Sequence, residues 1–265
     1  MRKKLFITTI IILILVMGAT LAVGCIKPKT DWAYIQYKGN IVVGYFDFEP
    51  FSYTRGEAKG VEVDIIKAVG EKLGLSVTFQ KLNADEVKTK LDDKTVDVVI
   101  GGLPKDSSFA EGIAVSKSYL HNRQVAVVKS ADSDTLKTKD AIAKAKIVAW
   151  EGGESSTIIG SQFAGASVEY LSSTVKALQK VMSGGADVAI VGDCNANYNL
   201  AMAYYSDLAI VSGLGWGGQD IVMGVRESDK EWLAKLDETL TALSTDGKLE
   251  EITTKYNLNK LLTLK

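Results

Sequence analysis

The sequence predicts an α/β protein made of two similar units, each a mostly parallel sheet flanked by helices, with a cleft between them. Three observations predict it. Short runs of β-branched residues alternate with helix-period segments as β-α-β-α-β over residues 41–100, the pattern of a parallel sheet with right-handed crossovers. The same alternation starts again at 145–191. Two further extended stretches, near 124–129 and 219–225, stand where the chain passes from the first unit to the second and back. At 265 residues and 46% hydrophobic, the chain is long enough for two lobes with separate cores.

Taken in order, Ile41-Val-Val-Gly-Tyr45 reads as a first strand, and Phe46-Asp-Phe-Glu-Pro-Phe-Ser-Tyr53 as a loop of aromatics and carboxylates that Pro50 stiffens. Exposed rings beside carboxylates offer a surface for a flat or cationic group; closing the edge of a core is the other use for each ring. A helix follows from 60 to about 73, its apolar residues Val61, Ile65, Ala68, Val69 and Leu73 at helical spacing and Gly74 after its end. A strand at 76–80 and a helix at 84–91 lead to Val96, Val98, Val99 and Ile100, an apolar run expected to be covered on both faces. Gly101 and Gly102 then remove two side chains, letting the main chain bend or bring its N–H groups to something bound. The loop 104–108 lies beyond the carboxyl end of that strand, where open α/β sheets take ligands. Extended segments at 115–119 and 124–128 close the unit. In the second, strands at 145–150, 167–170 and 187–191 alternate with helices entered by the turn at 151–157, at 174–182 and at 195–205. An extended stretch at 208–211, the glycine-rich 213–218, a returning strand at 221–225 and helices at 231–243 and 249–256 complete the chain.

The first 25 residues read as an export signal: a basic Arg2-Lys-Lys4, an almost unbroken apolar run over 5–17, and small residues before Cys25. The arrangement resembles a lipoprotein signal, with Cys25 as the residue that takes the lipid and Ala22 where leucine is usual. An uncleaved membrane anchor is the alternative. Either holds the domain on the outer face of the cytoplasmic membrane, and residues 26–38 read as a tether in which Trp32 and Tyr34 pack on the domain. Without the signal the chain carries 28 basic and 32 acidic side chains, which speaks against nucleic-acid binding. With Cys25 lipidated, Cys194 is left without a disulfide partner; the single His121 supports neither a Cys/His zinc site nor a nucleophile pair. No cofactor is expected.

The chain resembles the family 3 extracytoplasmic solute-binding proteins, receptors of ATP-driven importers of polar amino acids, over about residues 39–257. The pieces that carry the resemblance are Val43-Gly44 with Asp47-Phe-Glu-Pro-Phe51, Gly60-Val-Glu-Val-Asp64, residues 91–97, Ser116-Lys-Ser-Tyr119, Ala186-Asp-Val-Ala-Ile-Val-Gly-Asp193 and residues 247–256, in order and at family-like spacing. The resemblance implies a two-lobed periplasmic-binding-protein-like fold of type II: a discontinuous lobe 1 over 39–125 and 222–265, and lobe 2 over 126–221. The lobes close on a small ligand, without covalent change, as a monomer that docks on an ABC permease and through it serves an ATPase.

Carried over residue by residue, Phe48 matches the aromatic that stacks on the ligand, with Asp47 beside it, and Asp193 matches the acid that commonly takes the ligand's ammonium. A helix N-cap is the other use for Asp193. Phe109 stands where the family usually has an arginine that grips the ligand's α-carboxylate. Asp106, Ser107 and Ser108 precede it, and Glu154, before Ser155, stands where threonine is usual. Lys105 lacks arginine's planar fork, so Arg55, Arg123 and Arg226 are the other candidates for the clamp. The expected ligand-binding set is Asp47, Phe48, Phe51, Gly102, Leu103, Asp106, Phe109, Trp150, Glu154, Ser155 and Asp193. The expected ligand is an amino acid or related amine-containing solute, and an acid-lined cleft allows one that lacks an ordinary carboxylate. The alternatives are a dehydratase or hydrolase on this scaffold, with Glu154 or Asp106 as acid or base, and a receptor that feeds a membrane sensor.

Overall fold

The computed structural model describes residues 31–151 and 153–264; the stretch read as an export signal, Cys25 and the first part of the stretch read as a tether lie outside the described residues. The first half runs α1 (Asp31–Lys38), β1 (Asn40–Tyr45), β2 (Tyr53–Arg55), β3 (Glu57–Lys59), α2 (Val61–Leu73), β4 (Ser76–Lys81), α3 (Val87–Asp92), β5 (Val98–Pro104) and β6 (Ile113–Val115). After β7 (Leu120–Lys129) come α4 (Lys139–Ala143), β8 (Ile147–Trp150), α5 (Glu154–Gln162), β9 (Val168–Leu171), α6 (Thr174–Met182), β10 (Val188–Gly192), α7 (Asp193–Leu200) and β11 (Leu208–Ile210). The chain returns along β12 (Trp216–Arg226) and ends in α8 (Lys230–Thr245) and α9 (Lys248–Lys255).

Strands β4, β1 and β5 pair in parallel, as do β10, β8 and β9. The two sets are joined because β7 and β12 run through both. The start of β7 pairs antiparallel with β12, Leu120 opposite Ile221, and its end pairs with β10, Val128 opposite Val188. From Ile221 on, β12 lies antiparallel to β5 and β6. Among the described residues, ten strands thus form one curled sheet with β7 and β12 as the crossing pair, and β2 and β3 form a separate two-stranded sheet. Each set has its own apolar packing. Ile65, Ile66, Trp232, Leu236 and Leu240 cover one side of the first set, and on the other Val87 and Leu91 pack with Val99 of β5. In the second, Leu178 and Val181 of α6 face Ala189, while Ile159 and Phe163 face Ile147 and Ile190.

Local chemistry sets the elements. Val98, Val99 and Ile100 are fully buried, as β-branched residues of a strand covered on both faces are. Gly60, at φ 128, precedes α2 where a Cβ would stand 2.3 Å from the Phe51 carbonyl oxygen, so the 46–53 loop can lie directly on the helix start.

Several segments differ from the sequence reading. Part of the stretch read as a tether is helix α1: Asp31 accepts from the N–H groups of Glu231 and Trp232 at the start of α8, and Trp32 stacks on Trp232 with ring centroids 5.8 Å apart. β5 does not end at Ile100 but continues through the glycine pair to Pro104, because β12 supplies pairing partners for Leu103 and Pro104. β12 begins at Trp216, inside the glycine-rich stretch, with an irregularity between Trp216 and Gln219 that absorbs Gly217 and Gly218. The helix read at 195–205 begins at Asp193 and stops at Leu200.

Candidate functional site

The loops that follow β1, β5, β8 and β10 meet around a cavity of about 790 Å³, at the carboxyl ends of the strands and between the two strand sets. Phe46, Asp47 and Phe48 come from the loop after β1, and Gly101 to Pro104 with Ser107, Ser108 and Phe109 from the end of β5. Across from them stand Trp150, Glu154, Ser155 and Ile158 at the entry to α5, Gly192 and Asn195 at the entry to α7, and Asn122, Gln124, Gln219 and Ile221 from the crossing strands. Phe48 and Trp150 meet across the opening with centroids 5.6 Å apart. A smaller space of about 410 Å³ lies along the same two rings, bordered also by Glu49, Tyr53, Arg55, Ser173 and Asn199.

The glycine pair is shaped by its neighbours on both sides. At Gly102, φ +68, a Cβ would stand 2.7 Å from the Phe51 ring and 2.9 Å from the Phe48 ring; at Gly101, φ +144, it would stand 2.4 Å from the Phe46 ring. Absence of side chains therefore lets the aromatic loop lie on the strand. The N–H groups of the pair are not offered to a ligand. Both donate to Oε2 of the fully buried Glu62, at 2.7 and 2.9 Å, and the Tyr119 hydroxyl donates to its Oε1. Burial pushes the Glu62 carboxyl up to about 7 against the pull of those three donors.

Polar groups in the cavity centre on Glu154. Its Oε2 accepts from the Gln124 side-chain amide at 3.2 Å, its Oε1 lies 3.4 Å from the Gly218 N–H, and the Ser155 hydroxyl donates to Gln124 Oε1 at 2.6 Å. Asp47 sits at the mouth in an ion pair with Lys81 and accepts from Thr54 at 2.9 Å. Burial raises its pKa, and these two partners outweigh that and hold the carboxyl below its ordinary range. The halves also touch beside the opening: Asn195 Nδ2 donates to the Glu49 carbonyl at 2.5 Å, and the Tyr198 hydroxyl donates to Glu49 Oε1 at 2.9 Å.

Of the residues expected from the sequence, the cavity brings together Asp47, Phe48, Gly102, Leu103, Phe109, Trp150, Glu154 and Ser155. Phe51, Asp106 and Asp193 are not on its wall. Phe51 is fully buried behind Phe48, with centroids 5.3 Å apart, so it supports the ring rather than facing the hollow. Asp106 is exposed on the loop after β5. Asp193 is 2% exposed and turned to β7, accepting from Arg123 N at 3.2 Å and Nε at 3.3 Å. Burial raises its pKa, with Arg123 opposing. Nor is Asp193 the cap of α7; Gly192 is, and Asp193 opens the first turn. Among the other clamp candidates, Arg55 pairs with Glu49, Arg226 is buried against Asp229, and Lys105 is exposed outside the lining. Asn122, Gln124, Asn195 and Gln219 were missed. Gln124 carries the one usable signal, a polar residue opening an otherwise apolar strand run.

The model of the bacterial extracellular solute-binding proteins, family 3, matches residues 41–259. The L-cystine-binding protein TcyA of Bacillus subtilis is 25% identical over 247 residues, covering 87% of this chain and 85% of its own. The solved structure of an ancestral cationic amino acid solute binding protein superposes with a TM-score of 0.78 at 23% identity, over 84% of this chain and 97% of the other. A substrate-binding protein of an ABC uptake transporter from Streptococcus pneumoniae, solved with bound histidine, gives 0.68 at 23% identity over 88% and 98%. With two strand sets, a crossing strand pair and a cavity between them, and with a family match over most of its length, the chain belongs to the bacterial extracellular solute-binding proteins of family 3.

Proposed function

We propose that this protein captures an amino acid or related small amine-containing solute outside the cytoplasmic membrane and delivers it, chemically unchanged, to the permease of an ATP-driven importer. The observation that carries this is the cavity itself: both halves line it, and Phe48 from one and Trp150 from the other meet over it. Lobe 1 over 39–125 and 222–265 and lobe 2 over 126–221 open and close about β7 and β12, which suits β-strands that are continuous through both halves. Relatives named for cystine, arginine and histidine binding support a nitrogen-bearing solute. Cys25 carries the lipid that holds the protein on the outer membrane face, and a single copy suffices to enclose the solute.

Mass spectrometry of small molecules released from the natively exported protein tests this, followed by calorimetric titration with whatever is found. Recovery of an amine-bearing solute that rebinds and leaves unaltered supports solute capture. A solute that the protein converts during the titration assigns it a dehydratase or hydrolase role instead. Metabolic labelling with a fatty acid, compared between the natural chain and Cys25→Ser, tests the anchor; equal labelling rejects it.

A further inference from the structure

The cavity carries ionisable side chains of one sign. Among the described residues that line it, these are Asp47 and Glu154, and none of the lining residues is a lysine, arginine or histidine. The basic side chains on the bordering segments are directed elsewhere. Lys81 is paired with Asp47 at the mouth, Arg55 of the adjoining smaller space with Glu49, and Arg123 with the buried Asp193; His121 packs beside Gly218 but lies 2.9 Å from Asp220, and Lys105 is exposed outside the lining. Asp47 therefore already has its counter-charge. Glu154 does not: the partners its oxygens have, the Gln124 amide and the Gly218 N–H, are neutral.

Two consequences follow for any solute held against Glu154. A carboxylate placed there meets like charge, with no guanidinium or ammonium on the wall to offset it. A cation there gains a carboxylate acceptor, and the rings of Phe48, Trp150 and Phe109 line the same hollow, where an aromatic surface attracts a positive group without requiring a hydrogen bond. We propose that the solute is an organic cation without a carboxylate group, its positive end against Glu154 and its carbon frame on these rings, with Glu154 deciding specificity. The proposal rests on solute capture by this cavity and narrows the class of solute.

Pairs of compounds that differ by a carboxyl group provide the test. The exported protein is titrated calorimetrically with arginine and agmatine, lysine and cadaverine, and ornithine and putrescine, and the titrations are repeated with Glu154→Gln. In at least one pair the decarboxylated member binds more tightly by about tenfold or more, and Glu154→Gln weakens that member by about tenfold, as expected for loss of a charge-assisted bond. The same substitution narrows the gap within the pair, a change that a general loosening of the fold does not produce. An amino acid that binds more tightly than its decarboxylated partner overturns the proposal while leaving solute capture intact. Equal loss of both members in Glu154→Gln also overturns it. If none of the six compounds binds, both the proposal and the capture of amine-containing solutes fall.

Discussion

Glu62 allows a stability prediction to be worked in full. Its carboxyl is fully buried beneath the glycine pair, and burial raises its pKa from 4.5 to about 7 even though Tyr119, Gly102 and Gly101 all donate to it. A carboxyl held above its unfolded value keeps its proton in the folded state over a range where the unfolded chain has lost it. Stability from this group is therefore fully present below pH 4.5 and is lost as the pH rises through about 7, above which the loss is complete. At ~1.4 kcal/mol for each pH unit, the loss comes to about 3 kcal/mol, or roughly 6–12 °C in Tm for a protein of this size. Glu62→Gln is the informative substitution. A glutamine oxygen can accept from both glycine N–H groups and its NH₂ can donate to the Tyr119 oxygen, so the bonds survive while the titration is removed. Urea unfolding of ligand-free natural protein and variant is compared across pH 4.5 to 8. Because Asp193 and Asp47 titrate in both proteins, the difference between the two isolates Glu62. The natural protein is expected to lose about 3 kcal/mol relative to the variant as the pH rises. A difference that is flat with pH, or that grows in favour of the natural protein, refutes burial as the controlling cause.

Three further outcomes follow from particular contacts. Arg226 is 3% exposed, binds Asp229 through Nε and Nη2, and donates from Nη1 to the carbonyls of Leu91 and Val96 at 2.8 Å. Arg226→Met leaves Asp229 buried without its cation and should lower unfolding stability by about 3–5 kcal/mol; a loss below about 1 kcal/mol contradicts this assignment. Trp150→Ala removes the ring that meets Phe48, so solute affinity should fall by about tenfold with a small change in unliganded Tm, and unchanged affinity shows that the ring pair does not bound the solute. Gly102→Ala demands a left-handed backbone and places a methyl 2.7 Å from Phe51 and 2.9 Å from Phe48. It should destabilise the protein by about 1–3 kcal/mol and weaken solute binding as the rings shift, measured by thermal unfolding and calorimetry; a variant with natural stability means the loop yields freely.

Much of the fold is legible because local patterns report local environments. The β-branched run at 98–100 reads as a doubly covered strand, and α2 is framed by Gly60 and Gly74 as its spacing predicts. Phe48, Trp150 and Glu154 on the cavity wall are legible in sequence because each stands at, or within a few residues of, the carboxyl end of a strand, the end where open α/β sheets take ligands. Gln124 and Asn122 are not, because their place on the wall comes from β7 serving both strand sets, with partners as distant as Gly192 and Trp216. Asp193 shows the opposite limit. It stands directly after β10, where the family resemblance led to expecting a ligand contact, yet its carboxylate is taken by Arg123, and nothing in the local sequence announces that pairing.

By itself the sequence determined most of the succession of strands and helices, the repetition of one α/β unit by a second and the family to which the chain belongs, since periodicity, glycine placement and ordered motifs are written in neighbouring residues. Only the tertiary structure decided which acids face the hollow, which are matched by a cation and which are buried. Those outcomes depend on where a side chain points relative to segments tens of residues away, and on how much water the packing leaves around it.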